Sequence, residues 1–192
     1  MNSKSEVRHE ALATRRKIPS DRLDRLSGQV QRNLEGTREF TEAATLATYV
    51  AKEDEVQTRN VIIDSLRMGK EVLVPRVGRA PGEMRFYRIR SLDELRAGAY
   101  GVLEPLEGSP AVPLSRAQMV LVPVVAWDDK GHRVGYGGGY FDRSLRSRGG
   151  AVAAGFALES QRRAAVPASD SDVGLQMLVT EKRVYRFGGA PR

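Results

Sequence analysis

The sequence predicts a single α/β domain with a mostly parallel sheet flanked by helices. Two short apolar runs, 44–50 and 71–76, bracket a segment of helical periodicity that stops at Gly69. That strand–helix–strand order is the mark of a right-handed βαβ unit. A third run, 118–126, is the most apolar in the chain, as expected of a central strand covered on both faces. The 192 residues contain no repeat, low-complexity tract or linker, so one compact domain over 1–192 with a sizeable core is expected.

Residues 3–17 predict a first helix, with Val7, Leu12 and Ile18 as sparse apolar positions and Lys4, Arg8, Arg15, Arg16 and Lys17 making it strongly basic. Taken alone, this segment is either a solvated amphipathic helix or a basic arm over a phosphate site. Pro19-Ser20 opens a second helix, with Ser20 as N-cap, Leu23, Leu26, Val30 and Leu34 at helical spacing, and Gly36 at its end. The strand 44–50 follows. The polar loop 52–58 then places Glu53, Asp54 and Glu55 just past that strand's carboxyl end. Open α/β sheets gather ligands there, although a solvated acidic turn has the same composition. Thr58 or Asn60 starts the next helix, through Val61, Ile62, Leu66 and Met68, and the strand 71–76 comes after it. Residues 84–89 read as a short edge strand. Ser91-Leu-Asp-Glu94 reads as a capping box opening a helical turn up to Arg96. The proline-rich stretch 101–113 reads as irregular. After the strand 118–126 come a turn, Asp128-Asp-Lys-Gly131, a glycine loop, and a helix started by Asp142-Arg-Ser-Leu-Arg-Ser-Arg148. Strands at 151–157, 177–180 and 184–187 complete the chain.

The formal net charge is +7 and the pI about 10.0, a balance that suits polyanionic partners. Of 31 basic residues six are lysines (4, 17, 52, 70, 130, 182), leaving 25 arginines, and these are scattered rather than gathered in a stripe. Nucleic acid is therefore not the expected partner; a nucleotide or an acidic small molecule uses the same charge. The absence of cysteine excludes disulfides and thiolate chemistry. His9 and His132 have no partners in metal-ligand spacing, which argues against a histidine-based zinc site or a Ser-His-Asp triad. His132 reads as a solvated turn residue. The N-terminus lacks an apolar signal region and no run approaches bilayer-spanning length, so no membrane partner and a cytoplasmic location are expected.

The chain is organised around Arg133-Val-Gly-Tyr-Gly-Gly-Gly-Tyr-Phe-Asp-Arg143, which sets Gly135, Gly137, Gly138 and Gly139 between two arginines and closes on an acid. Glycine permits positive φ and close approach of backbone N–H groups to a ligand, and both are expected of Gly138 in the middle of the run. Such N–H groups ahead of a helix start form an anion cradle, to which Arg133 and Arg143 would add bidentate bonds. A Walker loop would continue Gly-Lys-Ser/Thr where Gly139 meets Tyr140, and the dinucleotide fingerprint would need a glycine in place of Tyr140. The residues alone leave two readings, a phosphate cradle and a flexible surface loop.

Taken together, these stretches resemble the 5-formyltetrahydrofolate cyclo-ligase family nearly end to end. The strongest element is Val122-Pro-Val-Val-Ala-Trp-Asp-Asp-Lys-Gly-His-Arg-Val-Gly-Tyr-Gly-Gly-Gly-Tyr-Phe-Asp-Arg143. Supporting pieces are Lys4 to Arg8, Asp54-Glu55 with Thr58, Val74-Pro-Arg76, Leu103-Glu-Pro105, and Asp172 ahead of Val179-Thr-Glu181. Departures are Val124 for a usual glycine, Gln118 for an aspartate, and Ser171 and Gln176 for a histidine and an aspartate. The resemblance implies a ribose-phosphate-isomerase- and CoA-transferase-like α/β fold. It also implies closure of 5-formyltetrahydrofolate to 5,10-methenyltetrahydrofolate with ATP and Mg2+, through phosphorylation of the formyl oxygen. It implies ATP contacts from Lys4, Arg8, Arg133, Gly135, Tyr136, Gly137, Gly138, Gly139, Tyr140 and Phe141, with Arg133 and Tyr140 catalytic. Val50, Glu55, Tyr136, Gly137, Gly138, Gly139 and Tyr140 would border the folate, Asp142 and Asp172 would hold magnesium, and the chain would be a monomer. Two competing readings are a folate- or nucleotide-binding relative without turnover and a basic nucleic-acid-binding module. The latter needs aromatics interleaved with a basic patch, which Tyr136 and Tyr140 alone do not supply.

Overall fold

A computed structural model describes residues 3–80, 82–106, 108 and 110–188; the remaining positions of the expected domain lie outside the described residues. The chain opens with α1 (Lys4–Arg15), α2 (Ser20–Glu35) and α3 (Arg38–Glu42), then runs through β1 (Thr45–Ala47), α4 (Arg59–Arg67), β2 (Glu71–Val77) and β3 (Met84–Ile89). A hairpin of β4 (Leu95–Ala97) and β5 (Leu103–Pro105) precedes β6 (Ala111–Val112) and β7 (Met119–Pro123). A second hairpin, β8 (Ala126–Trp127) and β9 (Arg133–Val134), leads into α5 (Tyr140–Leu145). Strands β10 (Val152–Phe156), β11 (Met177–Val179) and β12 (Val184–Arg186) follow.

The main sheet has the order β12-β11-β10-β7-β1-β2-β3-β6. Its middle strands, from β11 to β2, pair in parallel, and antiparallel strands flank them on both sides. This is the expected α/β architecture, with the apolar β7 at the centre. From β1 the chain builds outward through β2 and β3 to β6, then returns as β7 on the other side of β1 and builds toward β12. The strand order thus reverses between β1 and β7, and the carboxyl ends of strands at such a reversal are where open α/β sheets hold ligands.

The pleat alternates side chains between two covered faces. Leu46, Met119, Leu121 and Phe156 pack against Val30, Leu34 and Phe40 of the early helices. Ala47, Val120, Val122 and Ala153 pack against Leu114, Trp127 and Leu145. Fully burying each large apolar side chain contributes about 1.5–3 kcal/mol, and β7 is accordingly apolar and fully buried from Met119 to Val122.

Several local expectations are corrected. The N-cap of α2 is Pro19, and Ser20 is its first helical residue. Helix α3, capped by the Thr37 hydroxyl, was not anticipated, since five residues are too short to show a period. Strand β3 is not the edge, because β6 pairs outside it. Ser91 Oγ accepts from Asp93 N and the Glu94 carboxylate from Arg90 N, so a single tight turn ends at Glu94. The chain then extends into β4 and β5, where a helical turn and irregular structure were expected. Strand β7 ends at Pro123, because Val125 N turns to Val134 O of the second hairpin. Helix α5 starts at Tyr140, two residues before Asp142, with Gly139 as its left-handed N-cap.

Candidate functional site

A cleft of about 1330 Å3 lies over the carboxyl ends of β1, β2 and β7, and every residue expected to touch ATP, folate or magnesium lines it, whereas of the acids 53–55 only Glu55 does. Lys4 and Arg8 arrive there because α1 is fixed at both ends of its first turn. Ser3 and Glu6 form a capping box, and Val7 and Ala11 pack against Val125, Ala126 and Val134. Arg8 Nε donates to Gly135 O at 2.7 Å, and its guanidinium lies against Gly137. Lys4 pairs with the Asp172 carboxylate, which also accepts from Ser169 N at 2.6 Å. Burial alone would raise the Asp172 pKa. The Lys4 and Ser169 hydrogen bonds outweigh it and hold the carboxyl below the usual aspartate value.

In the glycine loop, Gly137 (φ 99°) and Gly139 (φ 65°) occupy the left-handed region. Gly138 does not; there the constraint is steric, because a Cβ would stand 2.6 Å from the Tyr140 ring. The expected positive φ therefore belongs to its two neighbours. The flanking arginines are also placed differently from a pair of phosphate clamps. Arg133 is buried, and its terminal nitrogens donate to Asp142 Oδ1 at 2.8 Å and to Val173 O. Arg143 donates from Nε to Gly82 O at 3.0 Å and from Nη2 to Gly138 O, tying the glycine loop to the turn after β2. Both hold the wall of the cleft through these contacts.

Across the cleft stands an acidic and aromatic wall. Val50 lies just past the end of β1, and Glu55 is buried, accepting from Lys52 N at 2.6 Å. Burial pushes the Glu55 carboxyl up from its ordinary value, with hydrogen bonds from Lys52 N and Tyr136 and the Arg15 charge opposing. Tyr136 reaches this wall from the glycine loop. Its hydroxyl accepts from Arg15 Nη2 at 2.5 Å, and Arg15 Nη2 also meets Asp54 Oδ2 at 2.9 Å. Burial, then the nearby Glu55 charge, pushes the Tyr136 phenol well above its ordinary pKa, so it stays a donor. At the mouth, the Tyr140 and Tyr100 hydroxyls are 3.0 Å apart, and Phe141 packs edge-on against Phe86.

Sequence reasoning missed Arg15, Tyr49 and Tyr100 as parts of this site. Arg15 had a legible signal, since it falls on the same helical face as Lys4 and Arg8. Tyr49, whose hydroxyl holds Val56 O at 2.7 Å, looked like an ordinary strand residue. Tyr100 sits at the turn of the unexpected hairpin, with φ 57°, a backbone state costly outside glycine. The departures sort cleanly. Gln118 and Gln176 each accept, through Oε1, the N–H of a neighbouring strand residue, Thr45 and Ala153, at 2.7 and 2.8 Å. Neither lines the cleft, whereas Ser171 does, beside Asp172. Among the described residues no group of three or more His, Cys, Asp or Glu could hold a metal ion. No described helix is long and apolar enough to cross a membrane.

With Lys4, Arg8, Lys52, Arg79 and Arg146 facing one cleft, the arrangement suits a polyphosphate on one wall and a hydrogen-bonding ring system on the other. Residues 1–181 match the model of the 5-formyltetrahydrofolate cyclo-ligase family. A probable 5-formyltetrahydrofolate cyclo-ligase of Caenorhabditis elegans is 27% identical over 196 residues, covering 96% of this chain and 95% of that protein. The 5-formyltetrahydrofolate cyclo-ligase of Escherichia coli K12 is 30% identical over 149 residues, covering 76% and 82%. The NMR structure of Aquifex aeolicus 5,10-methenyltetrahydrofolate synthetase superposes with a TM-score of 0.85 at 33% identity, covering 98% of this chain and 95% of that one.

Proposed function

Since the chain belongs to the 5-formyltetrahydrofolate cyclo-ligase family, an enzyme family that converts 5-formyltetrahydrofolate to 5,10-methenyltetrahydrofolate with ATP, we propose how its cleft carries out that reaction. The observation that carries the proposal is the union, in one cavity, of the glycine loop with Lys4 and Arg8 and the opposite wall of Glu55 and Tyr136. The triphosphate lies along the first wall, with Lys4 and Arg8 as its charged partners and the backbone of Gly137, Gly138 and Gly139 beside it. Glu55 accepts N–H groups of the pterin, with Val50 and Tyr136 bordering the ring.

The formyl oxygen attacks the γ-phosphorus and the bond to ADP breaks. An amide oxygen is a poor leaving group until it is phosphorylated. The neighbouring amine nitrogen then bonds to the activated carbon, loses its proton, and phosphate departs with the former formyl oxygen. Phosphoryl transfer asks little covalent help of a protein, so the chain's work is positioning and charge stabilisation. Tyr140, hydrogen-bonded to Tyr100 at the mouth, offers a hydroxyl donor to the transferring group. Arg133 acts through Asp142, which it holds in place.

The residues present fit magnesium. Hydrogen bonds to Asp142 converge on Oδ1 and those to Asp172 on Oδ2, so each carboxylate has a second oxygen to offer a cation. One or two carboxylates plus substrate phosphate oxygens is the usual magnesium environment. When bound, the ion would neutralise charge developing on the phosphates. We read residues 1–192 as a single domain, a reading supported by the one eight-stranded sheet that the described residues build, and as a monomer. The need for ATP as a substrate supports a cytoplasmic setting. The test is stoichiometric. ADP, phosphate and methenyl-folate should appear in equal amounts. Binding of both substrates without product would make the chain a relative that has lost turnover, and ADP without methenyl-folate would make it a nucleotide hydrolase.

A further inference from the structure

We propose that Arg15 is a positioning residue that sets the folate wall of the cleft and couples it, through α1, to the nucleotide wall. The proposal rests on the folate and ATP assignments above and adds a residue and a linkage to them. Lys4, Arg8 and Arg15 are four and seven residues apart. At about 100° per residue they share a stripe about 40° wide, and at about 1.5 Å per residue they span about 16 Å. One end of that stripe meets Asp172 and the glycine loop; the other meets Tyr136 and Asp54.

Arg15 is 3% exposed, and its Nε is buried without a hydrogen-bond partner. A buried guanidinium with an unmet donor is costly, and an apolar side chain would fill the same place with less penalty. What the charge secures is geometry. Nη2 donates to the Tyr136 oxygen and to Asp54. Tyr136 therefore spends a lone pair on Arg15, which leaves its own proton for the Glu55 carboxyl, with which it also interacts. The pair with Asp54 fixes the residue just before Glu55. One side chain thus orients both groups that face the pterin, with Lys52 and Tyr49 as the other polar neighbours of that wall. Because α1 is one continuous helix, any movement of Lys4 and Arg8 onto a triphosphate is carried to Arg15.

The test titrates 5-formyltetrahydrofolate calorimetrically into the parent, Arg15→Met, Arg15→Lys, Tyr136→Phe and the Arg15→Met/Tyr136→Phe double variant. Each titration is run with and without a non-hydrolysable ATP analogue, and each protein's melting is recorded. Losing the two hydrogen bonds of Nη2 should weaken folate binding on the order of tenfold or more in Arg15→Met. Its affinity for the analogue alone should match the parent's. In the parent the analogue should tighten folate binding, and in Arg15→Met that gain should vanish. The double variant should bind no worse than the weaker single one, and Arg15→Lys should recover part of the affinity. A folded Arg15→Met with parental folate affinity, or additive losses in the double variant, would overturn the positioning role. Should Arg15→Met fail to fold, Arg15→Lys and Tyr136→Phe decide by the same criterion. A parent without linkage between analogue and folate overturns the coupling. A parent that binds no folate overturns the functional assignment and this proposal together.

Discussion

Arg133, buried in the wall of the cleft, donates to Asp142 Oδ1 at 2.8 Å, and Val173 N donates to the same oxygen at 3.0 Å. The carboxylate is thus aimed by two fixed donors, one of them charged. Asparagine keeps an acceptor for both donors but loses the charge. Asp142→Asn should therefore cost only about 1 kcal/mol of stability. The magnesium needed for half-maximal rate should rise on the order of ten- to a hundredfold. Thermal melting and a magnesium titration of the rate check this; an unchanged magnesium requirement removes Asp142 from the metal site.

Arg8 contacts Gly135 O through Nε, so its terminal nitrogens remain for a phosphate. Arg8→Ala should raise the KM for ATP by an amount equivalent to about 1.5–3 kcal/mol while leaving folate affinity near the parent value. Steady-state kinetics with each substrate varied in turn make the comparison. Equal effects on both substrates would contradict a nucleotide-specific role.

Gly137 and Gly138 should resist substitution for different reasons. At Gly137 the backbone has φ 99°, so Gly137→Ala strains the chain itself, at about 1–3 kcal/mol. At Gly138 the conflict is with the Tyr140 ring, which can swing aside. Gly138→Val should accordingly melt near the parent yet lose activity on the order of a hundredfold, as Tyr140 is displaced by about 1 Å or more. Pairing Gly138→Val with Tyr140→Phe, which keeps the ring, and Tyr140→Ala, which removes it, separates clash from backbone. Full activity in Gly138→Val would sink the steric account.

Glu55 supplies the pH dependence. Burial raises its folded pKa above the unfolded value of about 4.3, so the folded state binds the proton more tightly. Its stabilising contribution is complete below the unfolded value and is lost as pH rises through the folded one. Relative to Glu55→Gln, the parent should therefore lose stability as pH rises through that window, and at neutral pH the glutamine variant should melt at least as high. Its folate affinity should fall, because the amide presents a donor where the pterin needs an acceptor. Melting curves that keep a constant offset at every pH contradict the buried, raised carboxyl.

Much of the frame was legible because it rests on local composition. The run Met119 to Val122 could only be a doubly covered strand, and the glycine loop with its flanking charges marked the cleft. Features settled by distant partners were not legible. Nothing local says that Arg133 turns inward to Asp142, that Arg143 ties Gly138 to Gly82, or that Gln176 closes the amino end of β10. Hairpin β4–β5 was hidden because its strands have three residues each, too few for alternation to show against a neighbouring capping signal. Positive φ was assigned to Gly138, since composition cannot distinguish members of a glycine run.

The most direct measurement of the central claim is the absorbance of methenyl-folate formed from 5-formyltetrahydrofolate by the purified chain, with ATP and magnesium each present or omitted. Product that appears with ATP and magnesium together, stops without ATP and forms on the order of a hundredfold more slowly in Gly138→Val is the predicted result. Absence of product from a folded parent that has bound both substrates would contradict it.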